Sequence, residues 1–296
     1  MEKIDTVLVA LDLEAGSDAV LVRAMQLAGA HEARLVVLHV IDAEPISHAA
    51  AHMELGESKL RKQLERQAIA AIEPLTVEGG RRRHTDIRVA FGSPHAVITH
   101  AARERHADVV VIGPGKGRTL RDKVLGSTAD GVIRTSAVPV LVVRKRSAEP
   151  YRSVAVALDC SPQSARAFVA ARRLAPDAIF RLVHAVDIPL AFQQAMLRAG
   201  TSQAVMEGYR AARTHKAREE LCAFQRDILE TSELPVRILK GEPGPALVRF
   251  SKSGRIDLLA LGSHGRGAVL QTLLGSVARR VLGEAACDVL VANIHQ

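Results

Sequence analysis

Tryptophan is absent, and aromatic residues make up only 3 % of the 296-residue chain. Large rings therefore cannot supply the core; Val, Leu, Ile and Ala must, and with 48 % apolar residues there are enough of them. The same scarcity leaves no aromatic platform for stacking nucleic-acid bases. No apolar run approaches the ~18 residues that a membrane helix needs, so no membrane partner is expected. The opening MEKIDTVLVALD carries charges early and an apolar run too short for a signal-peptide core, so no secretory leader is expected. Cysteine is scarce as well. Cys160, Cys222 and Cys287 form an odd, widely spaced set without a CxxC pair, which suits neither a disulfide framework nor a zinc site. A cytoplasmic, reducing compartment is expected.

Charge is plentiful. Lys and Arg total 40 against 32 Asp and Glu, giving +8, which favours anionic partners without choosing among them. The excess is spread, with +3 in residues 1–148 and +5 beyond. The basic runs at 81–83, 144–146 and 210–218 read as solvated loops and a charged helix face, and no nucleic-acid partner is expected.

A repeat organises the chain. VLVALD at 7–12 returns as VAVALD at 154–159, and HVID at 39–42 as HAVD at 184–187. FGSP at 91–94 returns as KGEP at 240–243, and DVVVIG at 108–113 as DLLALG at 257–262. VPVLVV at 138–143 pairs with CDVLVA at 287–292. The displacements lie between 145 and 149, so the chain holds two copies of one domain, 1–147 and 148–296. The boundary falls in the polar stretch RKRSAEPY, where Ser, Pro and charge replace the apolar pattern.

Each copy alternates non-alternating aliphatic runs with helical segments. Runs at 6–11, 34–41, 86–91, 109–112 and 138–143 read as strands buried on both faces, hence a parallel sheet. Between them, 17–30 reads as a helix starting at a Ser cap, with Leu21, Ala24, Met25 and Ala28 on one face. Residues 54–72 place Leu60, Leu64, Ala68 and Ala71 on a charged helix; 93–105 starts Ser-Pro, and 127–135 is a short last helix. In the second copy, Ser161-Pro162 and Glu242-Pro243 mark helix starts. The fold expected is α/β and doubly wound, with ligands at the carboxyl ends of the strands, at the switch point.

The second copy concentrates its chemistry after strand four. GSHGRGAVLQTLLGS, residues 262–276, spaces its glycines G-x-x-G, then G-S after nine residues. Glycines at 262, 265 and 267 remove side chains where an anion would approach backbone. A helix starting at Gly275-Ser276 offers the N–H groups of Ser276, Val277 and Ala278 to phosphates. Asp159 ends strand one across the switch point, where a carboxylate accepts from a ribose hydroxyl or an adenine amine. Together with HAVD at 184–187, these features make the chain resemble a tandem universal stress protein over nearly its whole length.

That resemblance implies two flavodoxin-like domains, each a five-stranded parallel sheet of order 3-2-1-4-5 flanked by helices. It further implies that the last strands pair the halves as an intramolecular pseudo-dimer, with a homodimer through sheet edges or helices beyond that. In ATP-binding members of such a family, Asp159 and Ala185 would face adenosine. Gly262, Gly265, Gly275, Ser276 and Val277 would face the phosphates, with His264 inside the loop beside them and magnesium as counter-ion. The first half reads GPGKGRTLRDKVLGST, residues 113–128. It keeps Asp12, Val40, Gly113, Gly126 and Ser127 but places Lys116 where the second glycine belongs. Lys116 either fills the loop and abolishes binding or adds an ammonium contact to phosphate. The loop is not that of a P-loop nucleotide hydrolase, because no Ser or Thr follows Lys116.

Plainer readings stand beside these. Asp12 and Asp159 could merely cap turns, and the glycines could merely form them. His39 and His184, ending buried strands, read as packed and satisfied. His48 and His52 share a helix spacing, but no third metal ligand accompanies them, and no metal site is expected. Cys160 reads as a small packed residue. The segment 187–203, with Phe192, Met196 and Leu197, reads as a packed crossover, a lid, or an apolar groove for a partner. The expectation is an ATP-binding regulatory protein of the stress response, binding mainly in the second domain and lacking dedicated catalysis. It also has an unidentified protein partner. The alternatives are a weak ATPase or nucleotidyl enzyme at the same cleft and an interaction scaffold without nucleotide.

Overall fold

Thr6–Leu11, the first aliphatic run, forms strand β1 and is buried at all but one position. The computed structural model describes residues 3–14, 16–46, 56–76, 85–115, 125–230, 234–265 and 273–293. The chain divides into two units, Met1–Pro150 with Asn293–Gln296, and Tyr151–Ala292.

In the first unit β1 leads to α1 (Ser17–His31), β2 (Arg34–Ile41), α2 (Glu57–Ile72) and a 3₁₀ turn at Glu73–Thr76. Then follow β3 (Thr85–Phe91), α3 (Pro94–Glu104), β4 (Val109–Ile112), α4 (Ser127–Thr135) and β5 (Val140–Val142). The sheet order is 3-2-1-4-5, with parallel pairing throughout. β4 and β5 are wholly buried, whereas edge strand β3 is half-buried apart from the exposed Arg88. Long aliphatic runs suit strands covered on both faces.

The second unit repeats the plan. It contains β6 (Ser153–Ala157), α5 (Pro162–Leu174), β7 (Ile179–Val186), α6 (Leu190–Arg198) and α7 (Gln203–Asp227). It closes with β8 (Val236–Lys240), α8 (Pro243–Ser251), β9 (Leu258–Gly262), α9 (Ser276–Glu284) and β10 (Asp288–Ala292). The order β8-β7-β6-β9-β10 is the same 3-2-1-4-5 arrangement, again parallel. Buried Leu182, Leu258, Leu259, Leu282 and Leu290 fill this core where aromatic rings are scarce.

The repeat extends to main-chain caps. Asp108 Oδ2 accepts from Asp5 N at 2.8 Å and Thr6 N at 3.0 Å; Asp257 Oδ2 accepts from Arg152 N at 2.9 Å and Ser153 N at 3.0 Å. Each carboxylate satisfies the amides that open its unit's first strand.

Local expectations fare unevenly. Pro94, Pro162 and Pro243 each stand at a helix start, where the missing N–H costs nothing. Ser17, expected as a cap, is instead the first residue of α1; the cap is Gly16 at φ 101°, and no side chain caps the helix. On α2 the stripe is Leu60, Leu64, Ala68 and Ile72, spaced by four, and Ala71 is exposed. Of the three readings of 187–203, packed crossover, lid or apolar groove, the first does not describe its helix α6. No residue of α6 is buried, Leu190 and Leu197 are exposed, and the exposed Phe192 ring lies 5.5 Å from the Tyr209 ring of α7.

Candidate functional site

The ends of β6, β7 and β9 and the starts of α8 and α9 enclose a cleft of about 520 Å³ in the second unit. That volume suits a small-molecule site. Asp159, Ala185, Gly262, His264, Gly265, Gly275, Ser276 and Val277 all line it. So do His184, Ser164, Pro243 and Leu247, which sequence reasoning did not assign to a site. Pro243 and Leu247 are one helical turn apart on α8, a spacing that could have signalled a shared face.

Three features give the cleft its chemistry. The first is the carboxylate. Asp159 Oδ1 accepts from Ser161 N at 3.1 Å and Ser161 Oγ at 2.5 Å. A Cβ on Gly265 would lie 3.0 Å from Asp159 Oδ2, so glycine is what lets the loop approach that oxygen.

The second is a main-chain pair. Leu182 N donates to Pro235 O, and Gly241 N donates to Val186 O, so even-numbered residues of β7 turn toward β8. Val183 O accepts from Leu158 N, so odd-numbered residues turn toward β6. β6 stops at Ala157, opposite Val183. Ala185 therefore turns its N–H and C=O into the cleft rather than to a neighbouring strand. Next to it, His184 Nδ1 donates to Leu158 O at 2.6 Å, which fixes the ring as it lines the wall. This is the satisfied histidine expected from the sequence, now placed at the cleft.

The third is the cradle. Gly275 N donates to Ser263 O at 2.9 Å, and Ser263 N donates to Ala292 O at 3.0 Å, which ties the loop to α9 and β10. A Cβ on Gly262 would fall 2.8 Å from Gln163 Cβ, and one on Gly275 3.2 Å from Ser263 O. Gly275 is the N-cap of α9, and no side chain caps that helix. Its first-turn amides, Ser276, Val277 and Ala278, have no carbonyl one turn earlier to bond and border the cleft.

The first unit keeps much of this. Asp12 Oδ1 accepts from Ser17 Oγ and, at 3.2 Å, from Glu14 N. Val40 shares the parity of Ala185, since Gly92 N donates to Ile41 O on the β3 side. His39 Nδ1 donates to Leu11 O at 2.7 Å. Gly126 N donates to Pro114 O at 2.9 Å and caps α4, which begins at Ser127. Gly113 is looser than Gly262, its Cβ direction meeting Val20 Cγ2 at 3.4 Å and Gly115 N at 4.0 Å. Lys116 lies outside the described residues, as do His48, His52, the 81–83 run and Gly267.

The profile of the universal stress protein family matches residues 3–144 and again 150–293. The chain belongs to the universal stress protein family. A full-length relative, a universal stress protein of Mycolicibacterium smegmatis, is 27 % identical over 97 % of this chain and 96 % of its own. A universal stress protein of Mycobacterium tuberculosis H37Rv is 28 % identical over 88 % of this chain and 87 % of its own. Among solved structures, a universal stress protein from Archaeoglobus fulgidus superposes with TM-score 0.61 at 21 % identity, covering 98 % of this chain and 96 % of that one. That likeness concerns the fold.

Among the described residues no helix is long and apolar enough to cross a membrane, and no group of three or more His, Cys, Asp or Glu could hold a metal. Cys160, Cys222 and Cys287 form no disulfide among the described residues. Of the basic runs, Arg210 donates to Gln193 Oε1 at 2.6 Å, and Arg146 pairs with Asp18 at 3.2 Å.

Proposed function

We propose that the second unit binds an adenine nucleotide, ATP with its magnesium, and that the chain is a cytoplasmic regulatory protein of the stress response rather than a dedicated enzyme. One observation carries the reading: the cleft joins a main-chain donor–acceptor pair at Ala185, the Asp159 carboxylate and the amide cradle of α9. Adenine offers an acceptor at N1 and a donor at N6, which complement an N–H and a C=O on one residue. Asp159 accepts from a ribose hydroxyl. Ser276, Val277 and Ala278 face the phosphates, as amides at a positive helix end favour. His264 adds a ring at the phosphate end, and the missing side chains of Gly262, Gly265 and Gly275 let these backbones pack against Gln163, Asp159 and Ser263.

In the first unit Asp12, Val40, Gly113, Gly126 and Ser127 keep the outline of the same site, while the glycine facing Asp159 is replaced by Lys116. One strong site per chain follows. Titration calorimetry with Mg-ATP should find about one site per chain, lost in Asp159→Ala. Two equal sites would overturn the assignment to the second unit, and none would turn the chain into an interaction scaffold. Sustained phosphate release that vanishes in Ser276→Ala would make it an ATPase instead. The homodimer belongs to the same reading, and sedimentation velocity decides it: a species at twice the chain mass is expected, and a monomer at all concentrations would remove it.

A further inference from the structure

Two serines at different sequence positions do the same thing in the two units. Ser161 is only 4 % exposed, and its hydroxyl has two partners: it accepts from Ser164 N at 3.2 Å and reaches Asp159 Oδ1 at 2.5 Å. An ionised carboxylate only accepts, so the hydroxyl proton points at Asp159. The backbone reinforces the direction, since Ser161 N also donates to Oδ1. In the first unit the loop from β1 to α1 is two residues longer than its counterpart, counted from the aspartate to the first helical residue. A serine two residues after Asp12 would be out of register, and that position holds Glu14. Ser17, five residues on and 8 % exposed, supplies the hydroxyl instead. It accepts from Glu14 N at 3.1 Å, which again aims its proton at Asp12 Oδ1.

The backbone between adds a second sign. Leu13 and Cys160, the residues after the two aspartates, both adopt left-handed conformations, at φ 58° and 59°. Such conformations in residues other than glycine cost free energy and persist where surrounding contacts impose them. Here the imposed turn brings each carboxylate back onto a serine. The same contact is thus reached through a different loop length and a different residue.

We propose that Ser161 is a positioning residue of the nucleotide site: it anchors Asp159 Oδ1 so that Oδ2 stays beside Gly265, on the ligand's side. Ser17 does the same for Asp12. This rests on the nucleotide reading and assigns a residue that reading did not contain. A carboxylate held in a fixed rotamer meets the ligand without first giving up side-chain freedom, as a preorganised site should.

The test separates holding the aspartate from capping α5. Glycine is tolerated at an N-cap with little loss of helix stability, so Ser161→Gly removes the hydroxyl donor while sparing the helix. Ser161→Thr restores the donor. With adenosine titrated into the full chain by calorimetry, Ser161→Gly should weaken binding by about tenfold, the size of one lost charge-assisted hydrogen bond. Ser161→Thr should bind as the wild type does, and the melting temperatures of all three should stay close. Unchanged adenosine affinity in Ser161→Gly, or an equal loss in Ser161→Thr, overturns the assignment while leaving the nucleotide reading intact. Wild-type protein that takes up neither ATP nor adenosine overturns the nucleotide reading and this assignment with it.

Discussion

Gly265 and Asp159 approach so closely that a Cβ on the glycine would stand 3.0 Å from Asp159 Oδ2. The glycine therefore leaves a gap in the wall beside the carboxylate, which on the nucleotide reading faces the ligand. Gly265→Ala should cost a modest factor in ATP affinity, because a methyl there crowds an oxygen but leaves its charge exposed to the cleft. Gly265→Lys should do far more. Its stem fills the gap, and its ammonium neutralises the carboxylate from within, so Mg-ATP affinity should fall at least a hundredfold in calorimetry. Equal, small losses in both variants would mean that the glycine serves only the turn.

The orientation of Ala185 leads to a second expectation. Guanine presents a donor at N1 and an acceptor at O6, the reverse of adenine. Against a fixed N–H and C=O, both contacts would become repulsive and leave buried main-chain groups unpaired. ATP should therefore outcompete GTP by about two orders of magnitude, since sites built around hydrogen bonds discriminate sharply against mismatched partners. Displacement of a fluorescent adenine nucleotide by each competitor measures this directly. Comparable potency of GTP would contradict base reading at Ala185.

How far the sequence revealed this molecule depends on the range of the interaction. The strands were legible because aliphatic runs buried on both faces need no partner to be recognised; 109–112 and 34–41 form as read. The repeat was legible too, and its drift now has a cause. The displacement falls from 147 to 145 across the longer β1–α1 loop and rises to 149 across the segment that carries α6 and α7. Asp159, Gly262, Gly265 and Gly275 were found because carboxylates and glycines advertise themselves. Ala185 was not legible from its own chemistry, since an alanine contributes only backbone and its direction follows from where β6 stops. Ser17 was misread as a cap because a two-residue change in loop length hands it a different job. Pro243 and Leu247 come to the cleft from α8, and sequence spacing does not say which strand end that helix overlies.

At the amino ends of the strands, away from the cleft, Tyr151 Oη donates to Asp288 Oδ2 at 2.7 Å, and the two residues are 5 % and 2 % exposed. Hydrogen bonds to buried charged groups are among the stronger ones, at about 1.5–3 kcal/mol. Tyr151→Phe should lower unfolding stability by about that amount, with ATP affinity unchanged, because the pair sits at the opposite end of the strands. Urea unfolding checks it. A loss below about 0.5 kcal/mol would mean that other partners hold Asp288 equally well.

The two units solve one packing problem in mirror-image ways. In the first, His95 on α3 occupies the space where a Cβ on Gly131 of α4 would stand, 2.8 Å from His95 Cβ and Cγ. In the second, the equivalent positions are exchanged: Arg280 on α9 lies over Gly244 on α8, its Cγ 3.1 Å from a Cβ there. Each helix pair holds one large and one absent side chain. Gly131→Arg alone should overpack the α3–α4 contact and cost about 1–3 kcal/mol. Adding His95→Gly, which reproduces the second unit's arrangement, should return most of that, despite the price of about 1 kcal/mol for a glycine within a helix. Urea unfolding of the wild type, both single variants and the double variant gives the coupling energy, expected to favour the double by more than about 1 kcal/mol. Additive losses would show that the exchange between the units is incidental rather than compensatory.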